Sequence, residues 1–535
     1  MLRKKVRKIL KDAIGKEAEL KHPGDAKFGD YSTNIALKEK IDAKEIVEKL
    51  KNEPMFEKVE TAGPGFINLT ISKQALLDEL SEIIERKENY GNSTIGQGKK
   101  IQVEFISANP TGPLTVGNAR GGPYGDVLGN VFKKAGFEVE KAYYVNDAGQ
   151  QILALGHSVL KDKEAKYQGE YIDELAGKIK ERDPLKVGQL AAKRIINGYI
   201  KKTTGKLGIK YDEWIFESDL YQSGKVDKTL KFLEENGLIY EREGAKWFKS
   251  FQFGDERDRV VVKSDGEKTY LAGDIALHQY KFKDKKFDQV VNVWGADHHG
   301  DVAGLLAGAE ALGHKGKLEI ILLQFVTLLE KGEKKKMSKR AGVYVLMDEL
   351  VDKVGSDAAR WFFLQKSPET HLNFDIDLAK EQSSKNPVYY VQYAHARICS
   401  VLRKAGNVIL SPFAEFILSE ANGPRINSTK DLSKDSSGFA LRMTNLNHPA
   451  ELSLIRQLTK FPEIIEDTAG DYQVQRLPQY SLKLANTFHK FYENCRVIDD
   501  SDKKKTASRL SLAKAVQIVL ASTLKLMGIG APNKM

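Results

Sequence analysis

Ile101-Gln102-Val103-Glu104-Phe105-Ile106, followed across Ser107 by Ala108-Asn109-Pro110-Thr111-Gly112-Pro113-Leu114-Thr115-Val116-Gly117-Asn118-Ala119-Arg120-Gly121-Gly122, is the stretch that decides the fold. The apolar run reads as a strand. The Pro and Gly residues behind it make a tight turn that lets the backbone approach a ligand. A helix is predicted from about Gly117 to Ala135. Where a strand turns sharply into a helix, free N–H groups and the positive end of the helix dipole are presented to phosphate, as in nucleotide-binding sheets.

Downstream, strands and helices alternate. A short strand is predicted near Val139–Val145, and a charged, mostly helical insertion from about 150 to 250 interrupts the pattern. It resumes with Arg259-Val260-Val261-Val262, Gln289-Val290-Val291-Asn292-Val293-Trp294, a helix from about Val302, and Leu318-Glu319-Ile320-Ile321-Leu322-Leu323. Apolar runs this continuous suit strands buried on both faces of a parallel sheet. Residues 96–375 are therefore expected to form a Rossmann-like catalytic domain.

Residues 1–95 read as a separate α/β module. Leu2, Val6, Ile9 and Leu10 share one helical face, and the acids Asp12, Glu17 and Glu19 that follow at once argue for an ordinary first helix over a basic targeting peptide. Gly91–Gly98 reads as the linker out of this module. Beyond about 375 the strand signals fade. Asn386-Pro387 is a good helix start, with Asn at the cap and Pro in the first turn. Amphipathic helices are predicted near 450–466, 479–497 and 508–527, the last closed by Gly528, with a Ser/Asn/Gly-rich loop at 420–438. Residues 376–535 thus read as an all-α bundle. The fold class is multidomain α/β plus all-α.

A chain of 535 residues has room for about three domains. Mean hydropathy is −0.42, and no apolar run approaches the ~20 residues a membrane crossing needs. Cys399 and Cys495 are the only cysteines, which excludes a disulfide framework and a Cys-rich zinc site and points to a reducing, cytoplasmic setting. The net charge of +11 suits a polyanionic partner held through phosphate contacts.

No Gly-x4-Gly-Lys-Ser/Thr segment occurs, so a P-loop enzyme is disfavoured, and the glycines at 117–129 lack dinucleotide spacing. His298-His299 after Trp294-Gly295-Ala296-Asp297 has no His-Glu-x-x-His or Cys companion. A loop at a strand's carboxyl end, touching nucleotide or substrate, is the better reading, with no protein metal site expected. Tyr270 and Asp274, four residues apart at an apparent helix start, share a face. Asp274 reads either as a capping or surface acid, or as the carboxylate that, with the Tyr270 ring, holds a planar cation such as guanidinium.

Five segments together resemble the arginyl-tRNA synthetases, a class I family. They are Ser107–Leu114, Tyr143-Tyr144-Val145-Asn146-Asp147-Ala148-Gly149, Val293–Gly300, Lys336-Met337-Ser338-Lys339-Arg340, and Gln382–Arg397 with its Asn386-Pro387-Val388-Tyr389-Tyr390-Val391-Gln392-Tyr393 core. The resemblance covers the whole chain. It implies ATP- and Mg²⁺-dependent attachment of L-arginine to tRNA(Arg) through an arginyl-adenylate, by a monomer that activates arginine only with tRNA bound. It further implies that Glu104 and Asn109 lie near the arginine and that Tyr270 and Asp274 grip its guanidinium. Gly117 and Asn118 would lie under the nucleotide, with Gly295, Asp297, His298, Met337, Ser338 and Lys339 also at the ATP site. Lys336 and Lys339 would neutralise the triphosphate as pyrophosphate leaves. The N-terminal module resembles the family's tRNA-recognition domain and the tail its anticodon-binding domain, where Tyr389, Tyr390 and Tyr393 serve either as base-stacking rings or as core.

One departure stands out. The family's first signature usually reads His-x-Gly-His, and here Thr115 and Asn118 occupy the histidine positions. Thr115 and Asn118 keep hydrogen-bonding capacity and are expected to be catalytic, with Arg120 a candidate for the missing charge. A catalytically impaired, tRNA-binding homologue and a class I synthetase for another amino acid are the alternative readings.

Overall fold

The computed structural model describes residues 1–335, 345–406 and 445–535. Lys336, Met337, Ser338 and Lys339, and the stretch 420–438, lie outside the described residues.

At the centre is a five-stranded sheet built from β1 (Lys100–Phe105), β2 (Glu138–Val145), β3 (Glu213–Phe216), β4 (Gln289–Gly295) and β5 (Leu318–Leu323). Its order is 5-4-1-2-3 and every neighbouring pair is parallel. The chain winds outward from β1 to β3, then returns to the other side for β4 and β5. The topological switch point therefore lies between β1 and β4, where the carboxyl ends of the strands open a crevice.

The predicted helix after the turn is present as two abutting pieces, α1 (Val116–Ala119) and α2 (Gly121–Lys134). Its glycines serve close packing. A Cβ on Gly125 would lie 2.2 Å from Phe105 of β1, and one on Gly122 would lie 2.8 Å from Ile209. Only a bare backbone allows α2 to approach the sheet this closely.

Three expectations within residues 96–375 need correction. The stretch read as a mostly helical insertion from about 150 to 250 contains β3, the edge strand of the central sheet, whose Tyr143↔Trp214 register extends the β2 ladder. It also holds the hairpin Ile239–Arg242 and Ala245–Phe248. β3 is four residues long and only one of them is fully buried, so its apolar run is too short to stand out. Arg259–Val262 is a strand, but it pairs antiparallel with that hairpin and has no place in the parallel sheet. The helix expected from Val302 begins earlier, as α4 (His299–Ala311), following a turn at Ala296–His298.

The tail is a helical bundle comprising α5 (Pro387–Gly406), α6 (Pro449–Thr459), α7 (Phe461–Asp471), α8 (Arg476–Asn494) and α9 (Lys503–Leu526). Asn386 starts α5 as read: its Oδ1 accepts from Val388 N at 3.2 Å. The single helix expected over 450–466 is two, because Pro462 lacks the N–H that would continue α6 and sits instead in the first turn of α7. Gly528, at φ 65°, closes α9.

In the N-terminal module, helix Leu2–Ile14 turns Leu2, Val6 and Leu10 inward beside a small sheet ordered Tyr31–Thr33, Phe66–Ile71, Phe56–Ala62. The module docks on α7. Buried Glu463 accepts from Tyr31 Oη and lies 2.8 Å from His22 Nε2, and Arg3 lies 2.7 Å from Asp467. The polar Gly91–Gly98 connection is pinned: Ser93 Oγ donates to Glu466, and Gly96 N to Ala135 O at 3.0 Å.

Candidate active site

The turn after β1 is strained. Ile106 and Ser107 have φ of 67° and 39°, a region that L-residues, β-branched ones above all, rarely adopt. Such backbone persists where surroundings hold it and is characteristic of functional sites. Here Ser107 Oγ accepts from Tyr144 N at 3.0 Å. Tyr143 Oη donates to Ala108 O at 2.8 Å, and Tyr171 Oη to Thr111 O at 2.9 Å. The Tyr143-Tyr144 pair of β2 thus shapes the turn that leaves β1.

A cleft of about 770 Å³ opens over the strand ends. It brings together Glu104, Asn109, Gly117, Asn118, Tyr270, Asp274, Gly295, Asp297 and His298. Residues at the ends of β4 and β5 and on α1 form one half. The other half is formed from the ends of β1 and β2 and from α3 (Tyr270–Gln279).

Thr115 is not on the cleft wall. Its Oγ1 donates to Asn118 Oδ1 at 2.7 Å, which turns the amide so that Nδ2 is left for the cleft. The flanks of Thr115 are zipped to the chain that follows residue 344: Val116 N donates to Val345 O at 3.1 Å, and Met347 N to Leu114 O at 2.9 Å. Arg120, the candidate for the missing charge, lines the cleft with its guanidinium already engaged. Its buried guanidinium donates to the carbonyls of Gln324 at 2.5 Å, Ser367 at 2.9 Å and Thr370 at 3.1 Å, and burial lowers its pKa to about 10.

The other half is acidic. Glu104 lies 2.5 Å from Lys281 Nζ, and both groups are out of water. Lys281 also reaches Asn292 Oδ1 at 3.5 Å, and Asn292 Nδ2 donates to His278 Nε2 at 2.9 Å. His278 Nδ1–H donates to the Asp274 carbonyl at 2.7 Å. Burial, aided by Lys281, pushes His278 down to about 3, so the imidazole is neutral.

Asp274 is pushed up to about 8, first by burial and then by the negative charges of Glu104, Glu217 and Asp301. Glu217 rises to about 7 through burial. It accepts from the Asn146 amide nitrogen, turned toward it at 2.7 Å, and its Oε1 lies 3.2 Å from where a Gly273 Cβ would be. The nearby cations are engaged elsewhere: Lys281 with Glu104, Arg259 with Asp255 at 2.8 and 2.9 Å, and Arg120 with carbonyls. Among the described residues no ion pair forms with Asp274 or Glu217. Tyr270 is 57% exposed at the rim, 3.4 Å from Gln151 Nε2. This half of the cleft therefore holds two carboxyl groups that no described cation pairs with.

Glu217, Tyr144, Asn146 and Lys281 were missed as site residues by sequence reasoning. Asn146 and Tyr144 lie within a quoted motif and were within reach of it. Glu217 lies in the range read as insertion and carried no local signal. In the other half, His298 lies 3.5 Å from Asp301, and among the described residues no group of His, Cys, Asp and Glu is arranged to hold a metal ion.

Comparison with known proteins agrees in every part of the chain. Residues 1–71 match the arginyl-tRNA synthetase N-terminal domain. Residues 79–185 and 170–375 match the catalytic domain of class I (R) tRNA synthetases, and residues 391–535 the DALR anticodon-binding domain. The arginine–tRNA ligase of Bacillus licheniformis is 41% identical, covering 98% of this chain and 97% of the relative. That of Bacillus subtilis is 39% identical with the same coverage. The arginyl-tRNA synthetase structures from Thermus thermophilus (TM-score 0.75, 22% identity, 100% of both chains) and Plasmodium falciparum (TM-score 0.76, 20% identity, 99% of both) share the fold. A nucleotide-type switch point beside an acidic pocket, with likeness along the full chain, leads to one conclusion: the chain belongs to the arginyl-tRNA synthetase family of class I.

Proposed function

We propose that the chain ligates L-arginine to tRNA(Arg) at the expense of ATP, and that the acidic half of the cleft selects arginine. One observation supports the assignment: Asp274 lines the cleft, and among the described residues neither it nor the neighbouring Glu217 forms an ion pair, so that a guanidinium would complete the site. A planar, always-charged guanidinium offers several donors to these carboxylates, with the Tyr270 ring at the rim. Glu104, held by Lys281, and Asn109 orient the α-amino end in this reading.

MgATP is the co-substrate, the Mg²⁺ entering on the phosphates. Gly117, Asn118, Gly295, Asp297 and His298 line its half of the cleft. An arginine carboxylate oxygen attacks the α-phosphorus, the bond to the bridging oxygen breaks, and pyrophosphate departs. The terminal ribose hydroxyl of the tRNA then attacks the activated carbonyl and AMP leaves. Lys336, Lys339 and the Asn118 amide supply charge and donors to the phosphates, with Met337 and Ser338 beside them, so catalysis is positioning and electrostatics. Thr115 acts through Asn118.

Residues 1–95 and 376–535 are read as the tRNA-holding modules around the catalytic body at 96–375. In the bundle, Tyr389, Tyr390, Tyr393, Arg397 and His489 line a groove of about 370 Å³. Tyr393 is 41% exposed, and Arg397 lies 4.5 Å above the Tyr492 ring, a surface suited to stacking bases. The enzyme is read as a cytoplasmic monomer, and light scattering of the purified chain tests the oligomeric part. A charging assay with labelled arginine, ATP and total tRNA tests the function, each component being omitted in turn. Arginylation that needs all three is expected, together with pyrophosphate exchange that needs tRNA. Charging with another amino acid, or none at all, overturns the reading.

A further inference from the structure

Arg120 is a buried cation with no carboxylate among its hydrogen-bond partners. Its side chain is 2% exposed and donates only to carbonyl oxygens. Removing a guanidinium from water is costly, and the carbonyls return only part of that cost. An apolar side chain would fill the space more cheaply, so the arrangement calls for a positional reason. The acceptors provide one. Gln324 follows β5, and Ser367 and Thr370 are the two ends of a turn closed by Thr370 N donating to Ser367 O at 3.1 Å. Gln324 N donates to Pro368 O at 2.9 Å, and Leu372 N to Phe325 O at 3.0 Å. The guanidinium thus ties together two segments already cross-linked to each other.

Gln324 and Phe325 are cleft-lining residues at the end of β5, and Phe325 is 58% exposed although its backbone is pinned on both sides. Arg120 itself follows Asn118 by two positions. Immediately beyond it, Gly121 starts α2 beside Ile106 and Leu323: a Cβ there would lie 3.5 Å from Ile106 N and 3.9 Å from Leu323 Cδ1. One side chain therefore connects the wall that carries Asn118 to the wall that carries Phe325.

We propose that Arg120 is a positioning residue for nucleotide binding: its guanidinium sets the separation of the Asn118 and Gln324–Phe325 walls, with the Phe325 ring as the apolar face offered to the purine. The inference rests on reading the cleft as a MgATP and arginine site. Neither Asp274 nor Glu217 is among the hydrogen-bond partners of Arg120.

The test is MgATP binding by calorimetry in the presence of tRNA, with the Michaelis constants for ATP and arginine measured in parallel. Wild type is compared with Arg120→Met, Arg120→Lys and Phe325→Ala. Arg120→Met is expected to weaken MgATP by on the order of ten- to a hundredfold, because small displacements of binding walls have effects of that size. The arginine constant should stay within about twofold. Arg120→Lys, whose ammonium still reaches part of the carbonyl set, should fall between. Phe325→Ala should weaken MgATP with an unchanged melting temperature. Equal weakening of both substrates, or wild-type MgATP affinity in Arg120→Met, overturns the proposal. If neither Arg120 variant folds, wild-type affinity in Phe325→Ala overturns it. A wild-type chain that binds no MgATP removes the site reading as well, whereas wild-type binding with unmoved variants removes only the role of Arg120.

Discussion

Lys281 Nζ lies 2.5 Å from Glu104 Oε2 beneath the cleft, a buried ion pair that leaves Asp274 and Glu217 without a cation partner among the described residues. The pair neutralises one carboxylate of the cluster, and the carboxyl groups of Asp274 and Glu217 remain without an ion-pair partner among the described residues.

Asp274→Asn is expected to raise the Michaelis constant for arginine steeply and to leave that for ATP nearly unchanged. Removing one partner of a desolvated charge pair costs on the order of 3–5 kcal/mol, roughly two to three and a half decades of affinity. Steady-state charging kinetics decide it, and a parallel shift in both constants would speak against a guanidinium pocket.

Arginine binding should tighten with pH. Asp274 is raised from 3.8 to about 8, so without arginine it is mostly protonated at neutral pH. A bound guanidinium favours the carboxylate, and binding near pH 7 should therefore release close to one proton, with part of the linkage from Glu217 near 7. Affinity should rise up to about tenfold per unit below pH 8 and level off above it. For the ligand-free fold the sign is opposite: the raised pKa makes a contribution present at low pH that is lost as pH rises through about 8. Calorimetry in buffers of different ionisation enthalpy reads the proton count, and a pH-independent affinity would exclude Asp274 as the partner.

Asn118→Ala should slow adenylate formation by about 2.7–4 kcal/mol, the usual loss for one preorganised donor. Thr115→Ala should do less, since its hydroxyl only orients the Asn118 amide at 2.7 Å. Single-turnover activation separates the two. Wild-type rates in the double variant would shift attention to the lysines of 336–339.

The bundle is not detachable. Arg360, fully buried, donates to Met527 O at 2.6 Å, to Leu207 O at 2.8 Å and to Asp126, which also pairs with Lys141 at 2.6 Å. Deleting residues from 376 onward strips α9 and the Met527 carbonyl from this joint, so an isolated α/β body is expected to fold poorly. Arg360→Met should destabilise the whole chain by roughly 1–3 kcal/mol, because the Met527 and Leu207 carbonyls lose their buried donor while Asp126 keeps Lys141. Thermal unfolding measures this, and an unchanged midpoint would show the joint to be dispensable.

Much of this architecture was legible because it is local. The β1 run, the Pro/Gly turn and the Gly121-Gly122 helix start act within some twenty residues, and short-range sterics and hydrogen bonding are written residue by residue. The Tyr270/Asp274 spacing placed two groups in one cleft because a helix repeats every 3.6 residues. The Asn386-Pro387 start of α5 was legible for the same reason. What the sequence could not state is pairing at a distance. β3 is only four residues long, and sheet hydrogen bonds alone bring it beside β2, carrying Glu217 to the pocket from a range that read as an insertion. Glu104 and Lys281 are 177 positions apart, and Asp126 and Arg360 are 234 apart. Arg120 reads in sequence as a charge for phosphate, and only the fold brings three carbonyls to it and takes it out of solvent. Residue types and their periodicity decided what each segment can do. Burial, which depends on every other segment at once, decided which charges are already satisfied and which are left for the substrate.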